Sequence, residues 1–399
     1  MGIVGLLGHI KPALEPVDLR RFKGQRLGVD GNVWLHRGTY ACALDLAKGL
    51  PTRAVENYCR NFCEMMTRAG VKLLVVFDGR PLPAKEPARR QRTAKRQHAE
   101  HQLEMCTENI RELEAQLHEG TTEEEEVREQ LEKAKRGQEE SARLAARVTQ
   151  PMVESVMRAL RQLEGVEVLR APYEADAQLA YLARHKKVDV VVTEDSDLVA
   201  YKLPRVLLKL DRHSGAGQLF ERERLEKVVH EKVNLDEFTD DEFLQLCILC
   251  GTDYLESPKG LGVKTAHKWM GRLKRGLPEG TLLAGRVIRH LRVHEKSITV
   301  PPSYEQDYER ARITFAHQRV WNGSLKKVVP LSEPLPDGFA DELDDLIGPP
   351  LTDAEACDWC TQGYEAPTPF SFAAGGGGGG GARAGSAVSV QRRGGGGGG

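Results

Sequence analysis

The 399-residue sequence lacks long apolar runs and carries almost no net charge. No segment approaches the roughly 20 apolar residues that span a bilayer. The N-terminal MGIVGLLGHIKP has neither the basic flank nor the small-residue cleavage site of a signal peptide. We therefore expect an intracellular protein with no membrane partner. The formal net charge of −1 excludes attraction to a polyanion through the overall field, so nucleic-acid binding would require local basic patches.

Two functional motifs are missing as well. No G-x-x-x-x-G-K-[ST] loop is present, which argues against a nucleoside triphosphatase. The tail contains no Q-x-x-[ILM]-x-x-[FY]-[FY] sliding-clamp motif. Known docking motifs therefore do not constrain the protein partners.

Cysteine is sparse, with eight residues scattered along the chain, which favours free thiols in a reducing compartment. Two C-x-x-C pairs occur, Cys247–Cys250 and Cys357–Cys360, and a shared zinc site is one interpretation of them. The first pair lies inside the helical pattern DEFLQLCILC, and the second follows more than a hundred residues later. Core packing is the favoured interpretation of the first pair.

Strand and helix patterns alternate in two blocks of the chain. The predicted strands are 26–31, 71–77, 166–171, 188–193 and 205–210, and the predicted helices are 52–69, 151–163 and 174–185. The strands are apolar enough to be buried on both faces. This alternation predicts an α/β fold with a largely parallel, twisted sheet and helices on both faces.

A segment of different composition, 84–150, interrupts the alternation. Its start, AKEPARRQRTAKR (84–96), carries six basic residues against one acidic. Leu103, Cys106, Ile110, Leu113 and Leu117 then recur at helical spacing. HEGTTEEEE (118–126) combines a Gly stop with a Thr N-cap signature for a second helix. We predict a helical hairpin standing out from the sheet, with an acidic second arm that is a solvated spacer.

The remaining chain falls into predicted regions of distinct pattern. Residues 375–399 hold 14 of the chain's 40 glycines and almost nothing apolar, which predicts disorder. The predicted organisation is an N-terminal region 1–83, a helical insertion 84–150, an internal region 151–235, a helical region 236–290, a C-terminal wrap of mixed helix and loop 291–350, and a disordered Gly-rich tail 351–399.

Acidic residues recur where the predicted strands end. They are Asp30, Asp78, Glu174, Asp176, Asp195 and Asp197. The carboxyl ends of parallel strands share one edge, so these acids are expected to converge there. If TEDSD (193–197) stays extended, Asp195 and Asp197 share a face and Glu194 points away. Each acid by itself is more often a helix cap or turn residue, and their repetition at successive strand ends favours a common site.

Such a cluster would be self-repelling unless cations neutralised it. Oxygen ligands without His or Cys favour Mg²⁺ or Mn²⁺ over zinc. Two such ions about 4 Å apart are suited to in-line hydrolysis of a phosphodiester. The sequence therefore predicts nucleic-acid hydrolysis.

Six motifs in order resemble the Rad2/XPG-type structure-specific 5′ nucleases, most closely the exonuclease-1 branch, over about residues 1–350. They are MGIVGLL (1–7), VDGNVWLHRG (29–38), VVFDGRPLPAK (75–85), APYEADAQLAYL (171–182), TEDSDLVAY (193–201) and CGTDYLESPKGLGVKTA (250–266). The resemblance implies the PIN-like 5′ nuclease fold, with the insertion as an arch and 236–290 as a helix–two-turn–helix subdomain.

The same resemblance implies a 5′-to-3′ exonuclease on double-stranded DNA with 5′-flap activity, acting in mismatch repair and end resection. Its substrates would be duplexes with 5′ ends, nicks or flaps, and mismatch-repair proteins would be its partners. It further implies a nuclear monomer that uses two Mg²⁺ ions, with Mn²⁺ as a substitute. Asp253, in GTDY, joins the six acids as a matching metal-site carboxylate.

The resemblance also assigns residues to the DNA. Lys85 and Arg92 match residues that steady the scissile phosphate, and Arg96, His36 and Arg37 are further candidate contacts, whereas Trp34 is expected in the core. KGLGVKTA (259–266) is either an ordinary helix-linking turn or a turn that grips a duplex phosphate and holds K⁺. The residues of that turn assigned to DNA are Gly260, Gly262, Lys264 and Thr265.

Two departures and two rival functions remain open. Asn32 stands where exonuclease-1 relatives carry an aromatic residue, and the 97–150 hairpin is longer than their pattern and resembles the capped arch of flap endonucleases. The rivals are a flap endonuclease with a mainly replicative role and a non-catalytic scaffold that binds DNA ends.

Overall fold

The computed structural model describes residues 2–50, 52–120, 123–230, 233–236, 238–276, 282–336 and 338–361. Its strands are β1 (Leu14–Asp18), β2 (Arg26–Asp30), β3 (Lys72–Phe77), β4 (Val166–Arg170), β5 (Val190–Thr193), β6 (Arg205–Leu208), β7 (Ala216–Glu221), β8 (Val229–His230), β9 (Val233–Asn234), β10 (Arg319–Asn322) and β11 (Lys327–Pro330).

The helices connect these strands and form the insertion and the C-terminal part. They are α1 (Leu6–His9), α2 (Gly31–Tyr40), α3 (Ala43–Ala47), α4 (Ala54–Arg68), α5 (Glu86–Glu119), α6 (Glu124–Ala145), α7 (Gln150–Leu160), α8 (Ala175–Arg184), α9 (Asp197–Ala200), α10 (Asp240–Leu249), α11 (Val263–Leu273), α12 (Leu283–His294), α13 (Tyr304–His317), α14 (Leu343–Ile347) and α15 (Asp353–Thr361). None of them is long and apolar enough to cross a membrane.

The central sheet has seven strands in the order β1-β7-β6-β5-β2-β3-β4. The five strands from β6 to β4 are parallel, and β7 and β1 pair antiparallel at one edge. The predicted α/β fold with a largely parallel sheet is confirmed. The antiparallel strands β1 and β7 and the hairpin β10–β11 were not predicted, and the hairpin lies in a segment expected to be helix and loop.

Each central strand is buried on both faces. Along β3, Leu73, Val75 and Phe77 enter one core with α2, α4 and α7. Leu74 and Val76 enter the other core, which includes α8 and α10 to α13. Because successive side chains of a strand point to opposite faces, continuous apolar runs such as KLLVVF require helices on both sides of the sheet.

The insertion forms the predicted helical hairpin. Helix α5 has 34 residues and is about 50 Å long. Ile110 and Leu113 pack against Val127, Leu131 and Ala134 of α6, so the hairpin has an apolar core of its own. Thr121 and Thr122, the predicted caps of the second helix, lie outside the described residues.

The C-terminal boundary differs from the prediction. Helix α15 lies inside 351–399, which was expected to be disordered, and it packs against the hairpin β10–β11 through Trp321, Leu351, Ala356 and Cys360. These apolar side chains have a partner surface that the sequence pattern does not reveal. The Gly-rich stretch 375–399 lies outside the described residues.

The C-x-x-C pairs are not a shared zinc site in the described chain. Cys247 and Cys250 are buried in the core with α8 and α10 to α13, and Cys360 lies in the separate cluster beneath α15. Burial raises the pKa of the Cys250 thiol to about 12, which keeps it protonated. The core-packing interpretation of the first pair agrees with this placement.

Gly79 lets the ends of β3 and β4 approach each other. A Cβ at Gly79 would lie 1.9 Å from the carbonyl oxygen of Ala171 and 2.5 Å from that of Pro172. Both oxygens are backbone atoms, so the contact can be relieved only by moving one of the two strand ends. This close approach places Asp78 beside the segment that carries Glu174.

We expect Gly79→Ala to destabilise the fold by about 1–3 kcal/mol or more, because the added methyl group forces the strand ends apart. Thermal or urea unfolding measures the change. Gly271→Ala is the matched control, since a Cβ on that helical glycine meets nothing within 4 Å. Equal stability of the two variants would contradict the close approach.

Candidate active site

Seven predicted carboxylates lie together at the carboxyl edge of the parallel strands, each close enough to another to repel it. Asp30 is the last residue of β2, and Asp78 directly follows β3. Glu174 is the N-cap of α8 and Asp176 lies in its first turn, so Glu174 occupies the turn after Pro172. Asp195 and Asp197 follow β5, and Asp253 lies in the loop after α10.

Local hydrogen bonds hold the individual acids. Thr193 Oγ1 donates to Asp30 Oδ2 at 3.0 Å, and the backbone N–H of Ala175 donates to Asp78 Oδ1 at 2.8 Å. The backbone N–H of Asp197 donates to Asp195 Oδ1 at 3.0 Å. Each bond ties an acid to a neighbouring strand end or to the turn that follows it.

The extended arrangement expected for Asp195 and Asp197 is wrong. Ser196 has helical backbone angles, and Asp197 begins the short helix α9. The two acids meet because the Asp195 carboxylate caps the turn and accepts the Asp197 N–H, not because they share one face of a strand. Glu194 forms an ion pair with Arg37.

The acids interact with one another strongly. Burial, followed by repulsion from Asp78, raises the pKa of Asp30 to about 7. Burial, followed by repulsion from Asp195 and Asp253, raises the pKa of Asp197 to about 8. Burial raises the pKa of Asp176 as well, with Asp30 as its next cause. Three of the acids are well buried: Asp30 is 4% exposed, Glu174 8% and Asp197 5%. The site therefore favours bound protons or other cations.

Two basic side chains from the insertion supply positive charge. The Lys85 ammonium donates to Glu174 and lies 3.3 Å from Asp253 Oδ2. Arg92 Nη2 contacts both carboxylate oxygens of Asp253 at 2.6 Å. Burial raises the pKa of Asp253, but Lys85 and Arg92 outweigh it, so that pKa lies below its usual value. Lys85 and Arg92, which were predicted to steady a phosphate, thus form ion pairs with the carboxylates of Glu174 and Asp253.

The carboxylates supply the oxygen ligands that a hard divalent cation prefers. Asp197 Oδ1 is buried and has no hydrogen-bond partner, and an unpaired buried carboxylate oxygen is an unfavourable group unless a cation binds it. Within the described ranges no three His, Cys, Asp or Glu side chains already converge as a ligand set. Lys85 and Arg92 provide the countercharge in this arrangement.

The other predicted DNA contacts lie on α2, on α5 and around the start of α11. His36 is half-buried on α2, and burial followed by the charges of Arg92 and Arg96 lowers its pKa. Arg37 is held by Glu194, so its charge is already partnered. Trp34 is buried and stacks on Phe62 at 4.5 Å, which agrees with the expected core position.

The segment between α10 and α11 has an exposed turn. Gly260 has φ +91°, in the left-handed region that favours glycine, and Gly262 is the N-cap of α11. Lys264 is exposed in the first turn of α11 and Thr265 is half-buried beside it. The N-terminus of α11 and Lys264 thus present positive charge together.

Several residues around the acids were not found from the sequence. A Cβ on Gly2, which has φ +97°, would lie 2.3 Å from Asp195 Oδ1 and Ser196 Oγ, so the N-terminal backbone lies against the TEDSD turn. The sequence motif MGIVGLL contains Gly2 but does not indicate that this residue packs against the TEDSD turn. Asn32 Oδ1 accepts from the Asp78 N–H at 3.4 Å, which gives this residue a local role in place of an aromatic ring.

A buried polar group also lies behind Lys85. The Lys85 ammonium lies 5.6 Å from the centre of the Tyr254 ring. Gln318 Nε2 donates to the hydroxyl oxygens of Tyr254 at 2.8 Å and Tyr201 at 3.1 Å. Gln318 is distant in sequence from every motif, so only the packing of α13 reveals its position.

Comparison with known proteins identifies the domains that carry these residues. Residues 1–99 match the XPG N-terminal domain, and residues 165–253 match the XPG I-region. The two matched ranges contain all seven acids together with Lys85 and Arg92. Residues 100–164 between them cover the distal part of the hairpin.

Curated relatives extend the likeness over most of the chain. Exonuclease 1 of Arabidopsis thaliana is 34% identical over 352 residues, which cover 88% of this chain and 42% of that protein. Exonuclease 1 of Xenopus laevis is 35% identical over 356 residues, with coverage of 89% and 44%. The chain thus spans less than half the length of these relatives.

A solved structure shows the same fold. The catalytic core of Rad2 in complex with a DNA substrate superposes with a TM-score of 0.51 at 17% identity, covering 89% of this chain and 97% of that one. With an XPG N-terminal domain, an XPG I-region and sustained similarity to exonuclease 1, the chain belongs to the XPG family.

Proposed function

We propose that this chain is a divalent-metal-dependent 5′ nuclease: a 5′-to-3′ exonuclease on double-stranded DNA that also cuts 5′ flaps. One observation carries the proposal. Seven acids gather at the carboxyl edge of the sheet, and Lys85 and Arg92, at the root of the arch, lie directly on them. The similarity to exonuclease 1 supports the choice of substrate.

The acids would hold two Mg²⁺ ions, with Mn²⁺ as a substitute. The proposed ligands are Asp30, Asp78, Glu174, Asp176, Asp195, Asp197 and Asp253. Ions bound there would activate a water molecule and offset the charge on the leaving oxygen. The raised pKa values of Asp30 and Asp197 support this assignment, because both carboxyls are costly to ionise without a nearby cation.

The protein's own cations would orient the DNA. Lys85 and Arg92 carry positive charge beside the acids. Because phosphate and carboxylate are alternative anionic partners of a guanidinium, a scissile phosphate can replace Asp253 as the partner of Arg92. Arg92 and Arg96 both lie close enough to His36 to lower its pKa. Gly260, Gly262, Lys264 and Thr265 would grip the duplex backbone farther from the cut, with K⁺ bound at that turn. Such contacts read no base sequence.

We further propose a setting in DNA repair. The exonuclease-1 similarity supports a nuclear protein that acts as a monomer in mismatch repair and end resection, with mismatch-repair proteins as partners. Its substrates would be duplexes with recessed 5′ ends, nicks or flaps.

One structural feature favours a second candidate, a flap endonuclease. The hairpin α5–α6 has its own apolar core, formed by Ile110, Leu113, Val127, Leu131 and Ala134, and is therefore a built element rather than a loose loop. A rigid arch of this kind could sort single-stranded 5′ ends before cleavage.

We expect faster cleavage of a recessed 5′ end than of a 5′ flap on the same duplex, because the overall similarity is to exonuclease 1. End-labelled substrates with Mg²⁺, compared in single turnover, measure the two rates. A preference for the flap would support the flap endonuclease. No cleavage with any concentration of Mg²⁺ or Mn²⁺ would leave only a DNA-end-binding scaffold.

We expect Asp197→Asn, and likewise Asp195→Asn, to lower cleavage by roughly 10²–10³-fold, the usual effect of removing one group that stabilises charge in a transition state. Duplex affinity should be retained, because the grip on the backbone lies elsewhere. Fluorescence anisotropy measures binding in parallel. Glu194→Gln is the control, since that side chain is paired with Arg37 outside the cluster. Unchanged cleavage in the Asp variants would remove this site from the reaction.

We expect the metal-free protein to lose stability as the pH rises from about 4 to about 8. Asp30 and Asp197 have pKa values near 7 and 8 in the folded state, above the ordinary value of an unfolded Asp. The folded state therefore binds more protons in this window, and unfolding becomes easier as those protons leave. Thermal unfolding with a chelator should show a Tm lower by roughly 5 °C at the upper end of the window.

Two further unfolding curves test the cause. Asp197→Asn should flatten the pH dependence, because the amide carries no charge to repel its neighbours. Added Mg²⁺ should raise the Tm of the unsubstituted protein more at the upper end of the window than at the lower end. Stability that rises with pH in the chelated protein would contradict the repulsion between the acids.

A further inference from the structure

The C-terminal helix α15 contacts the loop 171–174, which ends at Glu174. The indole N–H of Trp359 donates to the carbonyl oxygen of Ala171 at 3.0 Å. Two guanidinium groups also make cation–π contacts with the Trp359 ring: Arg170 lies 4.8 Å and Arg80 5.6 Å from its centre. Arg80 lies two residues after Asp78 and Arg170 ends β4, so a single indole contacts both strand ends.

The segment before α15 holds the same loop at a second point. The Tyr173 hydroxyl donates to the carbonyl oxygen of Pro349. Gly348 has φ +94°, and a Cβ there would lie 2.3 Å from an atom of the Tyr173 ring, so the backbone lies flat against that ring. Arg319 Nε fixes this backbone by donating to the Gly348 carbonyl oxygen at 2.6 Å.

The opposite side of the loop is bonded to the end of β3. The N–H of Gly79 donates to the Tyr173 carbonyl oxygen at 2.6 Å, and the N–H of Arg80 donates to that of Pro172 at 2.9 Å. The N–H of Ala175, just past the loop, donates to the Asp78 carboxylate at 2.8 Å. Residues 171–174 are thus enclosed between the β3 end and the C-terminal segment.

We propose that residues 343–361 act as a brace that fixes the positions of Glu174 and Asp78, with Trp359 and Tyr173 as its positioning residues. Neither residue touches the acid cluster's charged groups directly. Both act through the loop backbone, whose displacement would move Glu174 and release the hydrogen bond between Ala175 and Asp78. This inference rests on the proposed nuclease function for its effect on catalysis.

The brace has a second anchor on the hairpin β10–β11. Leu351, Ala356 and Cys360 of this segment pack with Trp321, so α15 is anchored on the β10–β11 hairpin independently of Trp359. Truncating the indole should therefore loosen the loop without detaching the whole helix.

The test compares Trp359→Ala, Trp359→Phe and Tyr173→Phe with the control Asp358→Ala, an exposed position on the same helix. We expect kcat to fall about tenfold in Trp359→Ala, since small displacements of reacting groups have effects of this size, with KM for duplex DNA changed less than about twofold. Trp359→Phe keeps a ring for the two guanidinium groups but loses the N–H donor, so its kcat should be intermediate. Asp358→Ala should behave as the unsubstituted protein.

Amide hydrogen exchange supplies a readout independent of cleavage. Backbone amides of 79–80 and 171–175 should exchange faster in Trp359→Ala, and those of α4 should not change. If Trp359→Ala does not fold, Trp359→Phe and Tyr173→Phe decide the question, since both preserve most of the side-chain volume. Unchanged kcat and unchanged exchange in these two variants would overturn the brace.

Failure of the brace and failure of the nuclease function are distinguishable. If the unsubstituted protein cuts none of the 5′ substrates, the proposed function fails, and the exchange data still test the brace by themselves. If it cuts and every variant cuts equally well with unchanged exchange, only the brace fails.

Discussion

Repulsion among carboxylates at one sheet edge is the constraint on which this site depends. Asp30, Glu174 and Asp197 are well buried, and each experiences the charge of at least one other acid. Such a group of charges stays together only where cations offset it. In the structure Lys85 and Arg92 supply part of that charge, both from the root of the arch. The arch and the acid-bearing edge of the sheet are therefore linked electrostatically.

This linkage gives the insertion two roles. Lys85 and Arg92 pair with Glu174 and Asp253 in the structure, and the proposed function requires the same groups to contact a phosphate. Because a phosphate and a carboxylate are alternative anionic partners for one guanidinium, arrival of DNA would exchange one pair for the other. The exchange would also free Asp253 at the moment when the substrate is in place.

Short backbone contacts contribute to the frame around the acids. Gly79 admits two carbonyl oxygens where a methyl group would clash, and Gly348 admits the ring of Tyr173 in the same way. These two glycines bring three segments from different parts of the chain together: the end of β3, the loop after β4 and the C-terminal segment. A site built in this way is sensitive to displacement of any of the three, which is why a helix as distant in sequence as α15 can influence Glu174.

Local pattern was sufficient for much of the fold and the site. Apolar runs such as KLLVVF identified the buried parallel strands, because only strands covered on both faces carry such runs. Acids at the ends of those strands identified Asp30, Asp78, Asp195 and Asp197, because parallel strands end at one edge. Asp253 required the family resemblance, since it follows a helix and not a strand. The geometry of TEDSD was not predicted correctly, because a side-chain cap from Asp195 outcompetes the extended backbone.

The sequence by itself determined the α/β class, the hairpin insertion and the identity of six of the seven clustered acids, since each depends on periodicity or on position relative to a strand. Only the tertiary structure decided which basic side chains pair with which acids, and that the N-terminal Gly2 lies against Asp195. It also decided that Gln318, Tyr173 and Trp359 support the site. Those contacts join residues far apart in the chain, and no local pattern encodes which distant segments will pack together.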